Sequence, residues 1–155
     1  MTIAEGEALP DLELAGADGA KVSLRSFVGK PFVLYFYSKD DTTGCTREAQ
    51  DFSALAADFA TAGVAVLGVS PDTPAKHAKF TTKYDLTVPL ASDEDHVVME
   101  AFGVWIEKSM YGRTYMGVER STFLFAADGT LARRWGKVRV AGHAEQVLAA
   151  AKSLA

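Results

Sequence analysis

Two short apolar runs, "PFVLYFY" from Pro31 and "VAVLGVS" from Val64, lie on either side of a segment with a different rhythm. Neither run alternates with polar residues, so each reads as a strand covered on both faces. Between them Ala49, Phe52, Leu55, Ala56 and Phe59 recur at the helical period from Thr46 onward, and Gly63 predicts the stop. Strand, helix and strand with short connections predict a right-handed βαβ unit and a parallel pair. In such sheets chemistry collects at the C-terminal edges of the strands.

The rest of the chain extends this unit. Thr73 and Pro74 open a helix that Ala78, Phe80 and Tyr84 carry to about Tyr84, with Thr as the cap and Pro in the first turn. "VPLASD" reads as a short strand. Ser92 with Asp95 three residues on predicts a capping pair for a short helix through Val97, Val98, Ala101 and Phe102. "VERSTFLFAADGTLARRW" predicts an antiparallel hairpin turning at Asp128-Gly129, where glycine supplies a positive φ. Ala144, Val147, Leu148 and Ala151 mark an amphipathic last helix. The predicted order is β-α-β-α-β-α-β-β-α, an α/β architecture with a mixed sheet in one domain spanning 1–155.

Composition bounds what such a domain does. A net charge of −4 and a pI near 5.3 argue against a general affinity for nucleic acid, which needs a basic face. The local exception, "RRWGKVRV" with Arg133, Arg134, Lys137 and Arg139, has the alternation of a strand's solvent side. Apolar runs of about seven residues fall far short of the roughly 20 that a membrane helix needs. "MTIAEGEALPDLELAG" has neither a basic start nor a continuous apolar segment, so the expected location is cytoplasmic.

The single cysteine, Cys45, stands in "YSKDDTTGCTREAQ", a polar turn after the first strand. A lone cysteine forms no intramolecular disulfide and no CxxC pair, so any redox partner comes from outside. Its place in the first turn of a helix, with Thr43 or Gly44 as the expected cap, points unpaired N–H groups and partial positive charge at the sulfur. That lowers a thiol pKa and raises the thiolate fraction. Asp40 and Asp41 oppose this unless they point outward or pair with Lys39 and Arg47, and a cation from elsewhere in the chain would strengthen it.

"YFYSKDDTTGCTREAQDF" resembles the peroxidatic motif P-x-x-x-T-x-x-C of the peroxiredoxins, in the bacterioferritin-comigratory or Q-type subfamily. "VWIEKSMYGRTYMGVERSTFLF" is similar to that subfamily's second signature, whose arginine precedes the Ser-Thr-Phe strand, and the similarity runs from about Leu9 to Leu148. The resemblance implies a thioredoxin-like fold, a central mixed sheet flanked by helices. It also implies that Cys45 is the peroxidatic cysteine, Thr42 the hydroxyl that binds the peroxide and Arg120 the guanidinium beside both. Hydrogen peroxide and organic hydroperoxides are then the substrates, and neither a metal nor an organic cofactor is required. A monomer, at most a weak dimer, is the implied state.

The chain departs from the family at Ser38 and Thr43, which replace prolines and so free the backbone of the loop. Gln50 and "KFTTKY" stand where relatives carry a resolving cysteine. A one-cysteine cycle follows, in which glutathione, a glutaredoxin, a thioredoxin or Cys45 of a second copy reduces the sulfenic acid. A redox sensor or binding module forming a mixed disulfide through the same thiol is the alternative. "SDEDH" reads as an acidic helix start, and His77, His96 and His143 lie on three different predicted helices without a ligand pair, which disfavours zinc. A Cys–His hydrolase needs one of these beside Cys45. Trp105, Tyr111, Tyr115 and Met116 read either as packing or as an apolar wall near the thiol.

Overall fold

In a computed structural model that describes residues 3–154, strand β3 (Phe32–Phe36) has all five residues buried, as its unbroken apolar run requires. Before it come β1 (Glu13–Gly16), β2 (Lys21–Ser23) and a 3-10 turn (Leu24–Phe27). After it follow α1 (Thr43–Ala54), α2 (Ala56–Thr61), β4 (Ala65–Ser70), α3 (Pro74–Tyr84), β5 (Leu90–Ser92) and α4 (Val97–Ala101). The chain continues through β6 (Trp105–Met110), β7 (Arg113–Val118), β8 (Ser121–Phe125), β9 (Leu131–Trp135) and α5 (His143–Lys152).

Seven strands form one mixed sheet in the order β2-β1-β5-β4-β3-β8-β9. β3 pairs in parallel with β4, and β4 with β5, whereas β8 runs antiparallel to β3. Because side chains alternate across a strand, β3 feeds two cores. Phe32, Leu34 and Phe36 pack with Val98, Met99, Phe102 and Phe123 on one face. Val33 and Tyr35, with Tyr37 just beyond the strand, pack on the other with Phe52, Phe80, Val147 and Leu148 from α1, α3 and α5. This is the thioredoxin-like α/β arrangement the sequence predicts.

Three local expectations change. The helix after β3 is broken at Leu55 (φ −97, ψ 6), so Leu55 and Ala56 are only partly buried, Leu55 packing at the margin of the core that holds Ala49, Phe52 and Phe59. At the break the Ser53 carbonyl also accepts from the Thr87 hydroxyl at 3.2 Å. Ser92 is not the cap of α4. It ends β5, and the Asp93 carboxylate instead accepts from the Val98 and Met99 N–H groups at 3.3 and 2.7 Å. Finally, β1–β2 and β6–β7 are additional: the first pair is three or four residues long, and the second is a two-stranded hairpin exposed over most of its length.

Candidate active site

Cys45 is the third residue of α1, and Thr42, not Thr43 or Gly44, is the N-cap (φ −87, ψ 157). The Thr42 side chain makes no cap bond. Its hydroxyl donates to the Lys39 carbonyl at 3.0 Å, closing the loop on itself ahead of the helix. The thiol is not exposed in a turn, as its polar neighbours suggest. It is 1% exposed, because the first turn of α1 packs onto the sheet face that carries Tyr35 and Tyr37. Ser38 Oγ, at the position of the missing proline, lies 3.7 Å from the sulfur.

Arg120 reaches Cys45 from 75 residues away by strand pairing. It directly precedes β8, and the register Phe36↔Ser121 sets it beside the C-terminal end of β3, from which the loop to Cys45 departs. Its Nη2 donates to Sγ at 3.1 Å. A Cβ on Gly44 would stand 3.3 Å from that same nitrogen, so the glycine leaves the guanidinium its space.

The other guanidinium nitrogen, Nη1, donates at 2.6 Å to Oε1 of Glu48, whose side chain is 1% exposed. Glu48 was not singled out in the sequence. The available signal was its spacing: three residues after Cys45 on a helix, it shares the sulfur's face. Burial pushes the Glu48 carboxyl up to about 7, against the pull of Arg120. Its second oxygen, Oε2, is buried without a hydrogen-bond partner among the described residues.

Burial also pushes the Cys45 thiol up, but the Thr42 side chain, the Lys39 backbone and the charge and N–H of Arg120 outweigh it. The net effect is a thiol below its ordinary range. The Thr42 hydroxyl thus has two acceptors within reach, the Lys39 carbonyl at 3.0 Å and the sulfur, and rotation of its one proton chooses between them or an incoming oxygen. Arg120 is itself held more strongly protonated by Glu48 and Cys45, against its desolvation. The arrangement therefore presents a thiol biased toward its anion, a fixed cation and a rotatable hydroxyl on a helix N-terminus.

The acidic neighbours are disposed of in two ways. Asp41 turns outward to Lys83 and Tyr84, while Asp40 turns inward to His77 and Tyr37. Arg47 pairs with Asp51 at 3.9 Å. His143 bonds Thr122, and His96 stacks on Trp105. Tyr111, Tyr115 and Met116 do not form a packed wall with Trp105: they are 98%, 44% and 49% exposed along the β6–β7 hairpin. A run of apolar residues separated by polar ones gave no means of telling a covered strand from an uncovered one. Among the described residues no cluster of three or more His, Cys, Asp or Glu is placed to hold a metal, and no helix is long and apolar enough to cross a membrane.

Comparison with known proteins places this geometry in context. The model of the AhpC/TSA family matches residues 6–134. The chain is 46% identical over 154 residues to Peroxiredoxin Bcp of Bacillus subtilis, covering 99% of this chain and 98% of that one. To Peroxiredoxin Bcp of Xanthomonas campestris it is 47% identical over 143 residues, 92% of this chain and 89% of that one. A solved structure of the Xanthomonas campestris bacterioferritin comigratory protein, reported for its alkyl peroxide reduction activity, superposes with a TM-score of 0.91 at 44% identity, covering 97% of this chain and 98% of that one.

Proposed function

The chain belongs to the AhpC/TSA family of peroxiredoxins, and from that premise we propose that it reduces hydroperoxides through Cys45, with Arg120 and Thr42 as the other groups that meet the peroxide. The observation that carries this reading is Arg120 Nη2 at 3.1 Å from a buried thiol held below its usual range. Sulfur attacks the terminal peroxide oxygen: an S–O bond forms, the O–O bond breaks, and the alkoxide leaves and takes a proton to become alcohol. Cys45 ends as the sulfenic acid. Arg120 never loses its charge at physiological pH, so it stabilises the thiolate and then the departing oxyanion without reorganising. The Thr42 hydroxyl, turned from Lys39, orients the peroxide, and holding both reactants in one geometry supplies much of the acceleration.

With one cysteine the cycle closes on an external thiol. A thiolate attacks the sulfenic sulfur, an S–S bond forms and hydroxide leaves as water once protonated; a second thiol then releases Cys45 and departs as disulfide. A reducing compartment such as the cytoplasm supplies such thiols. The test is peroxide consumption with dithiothreitol, then with glutathione, glutaredoxin and thioredoxin in turn. Sustained turnover supports the enzyme; a single stoichiometric burst with dithiothreitol present overturns it in favour of a sensor. Oxidation without reductant leaves one added oxygen on Cys45 by intact mass, and more with excess peroxide.

A further inference from the structure

The loop between β3 and α1 carries two consecutive aspartates that turn opposite ways, and both end on α3. Asp41, in the left-handed region at φ 64, accepts on the outside from Lys83 Nζ at 2.7 Å and from the Tyr84 hydroxyl. Asp40 turns inward: its Oδ1 accepts from the Tyr37 hydroxyl at 2.5 Å, and its Oδ2 lies 2.7 Å from His77 Nδ1. A third tie runs from the Asp40 N–H to Asp72 Oδ2 at 2.8 Å, an oxygen that also accepts from Ser70 Oγ at 2.7 Å.

His77 is fully buried and saturated. Its Nε2 lies 2.9 Å from the Ala91 carbonyl, which only accepts, so Nε2 carries a proton. Nδ1 is thereby turned to Asp40 Oδ2, so both ring nitrogens are engaged. The contact lies inside the fold and fixes the loop more tightly than a surface contact would. Between the anchored Tyr37 and the anchored Asp40 sits Lys39, whose backbone favours the Cys45 thiolate. Where α3 holds the loop decides where that backbone meets the sulfur.

We infer that α3 is a clamp on the thiol loop, with His77 as its inner and Lys83 with Tyr84 as its outer positioning residues, setting the balance between the two half-reactions of the cycle. The inference rests on the peroxidase reading. Peroxide is small and reacts with the closed loop, in which the sulfur is 1% exposed. An external thiol needs room for in-line approach to the same sulfur, which the closed loop denies it. An open cavity of about 280 Å³ lies between the loop and α3, lined by Lys39 and Asp41 on one side and Lys79 and Phe80 on the other, so the two are joined by the ties at His77, Lys83 and Tyr84 and not by continuous packing. Loosening the clamp therefore slows oxidation and hastens reduction.

Stopped-flow measurement of each half-reaction separates this from a general loss of structure: hydrogen peroxide on the reduced protein, and dithiothreitol on the preformed sulfenic acid. For His77→Asn we expect oxidation to fall and reduction to rise, each by about tenfold, equivalent to ~1.4 kcal/mol. For Lys83→Met with Tyr84→Phe, which removes only the exposed arm, the same pair of opposite changes is expected at about two- to threefold. Should His77→Asn not fold, the outer variant decides. If both rates fall together, or neither moves, in variants of a wild type that turns over peroxide, the clamp is wrong and the peroxidase stands. If the wild type itself does not turn over, it is the peroxidase reading that fails.

Discussion

The thiol loop separates two buried polar sites built on opposite rules. On the sulfur side, Cys45 and Glu48 share the one cation of Arg120, and Glu48 keeps an oxygen with no partner among the described residues. On the other side Asp40, His77, Tyr37, Asp72 and Ser70 form a set in which each group is bonded. Full satisfaction gives rigidity, because every departure costs a buried hydrogen bond. Shared partners give reactivity: one cation serves two acidic groups, so it stays charged and in place as the reaction moves negative charge from the sulfur to the departing oxygen. The site reacts at one wall and is held at the other.

Removing the cation breaks the comparison most strongly. For Arg120→Met we expect the rate of Cys45 oxidation by peroxide to fall at least about tenfold and as much as about a hundredfold, measured by stopped flow. An unaltered rate would take Arg120 out of the site.

Glu48→Gln sharpens it next. The carboxyl is raised from 4.5 to about 7, so the folded protein binds its proton more tightly than the unfolded chain. Its contribution to stability is therefore fully present below about pH 4.5 and is lost as pH rises through about 7. Glutamine does not titrate. The stability difference between Glu48→Gln and wild type should thus shift in favour of the variant by on the order of 2 kcal/mol between pH 4.5 and 7.5, read from urea melts. His143 works the other way: burial, with Arg120 and Arg133, pushes it down to about 4, so the stability it carries is present above 6.5 and lost as pH falls through about 4. Only the difference between variant and wild type isolates Glu48, since His143 is common to both.

The smallest effect concerns Thr43. It is exposed at the first helical position of α1, after a residue in extended conformation, where proline's missing N–H and fixed φ are tolerated. Thr43→Pro should stabilise the protein by about 0.4–1 kcal/mol through the unfolded chain, seen as a higher urea midpoint. A lower midpoint would mean that the loop needs the freedom that threonine gives it.

What could be read from the residues followed from periodicity. The unbroken runs at Phe32–Phe36 and Ala65–Ser70 announced a doubly covered parallel pair, and Asp128-Gly129 announced the hairpin of β8 and β9. β6 and β7 escaped because a ribbon pairing only with itself has no covered face to impose alternation. At the site, Cys45, Thr42 and Arg120 came from motif resemblance, and the strand register then brought the arginine to the sulfur. Glu48 and His77 were hidden for a common reason. A carboxylate in a charged helix turn, or a histidine in "PAKHAKF", reads as solvent-facing until tertiary contacts bury it.

The titration of Cys45 itself tests the account most directly. Alkylation of the reduced protein by iodoacetamide, followed against pH, should give a midpoint below that of an ordinary thiol, about 8.5, and Arg120→Met should move that midpoint upward. A midpoint at or above the ordinary value in the wild type, insensitive to Arg120, would contradict the claim that this chain holds its one sulfur as a thiolate.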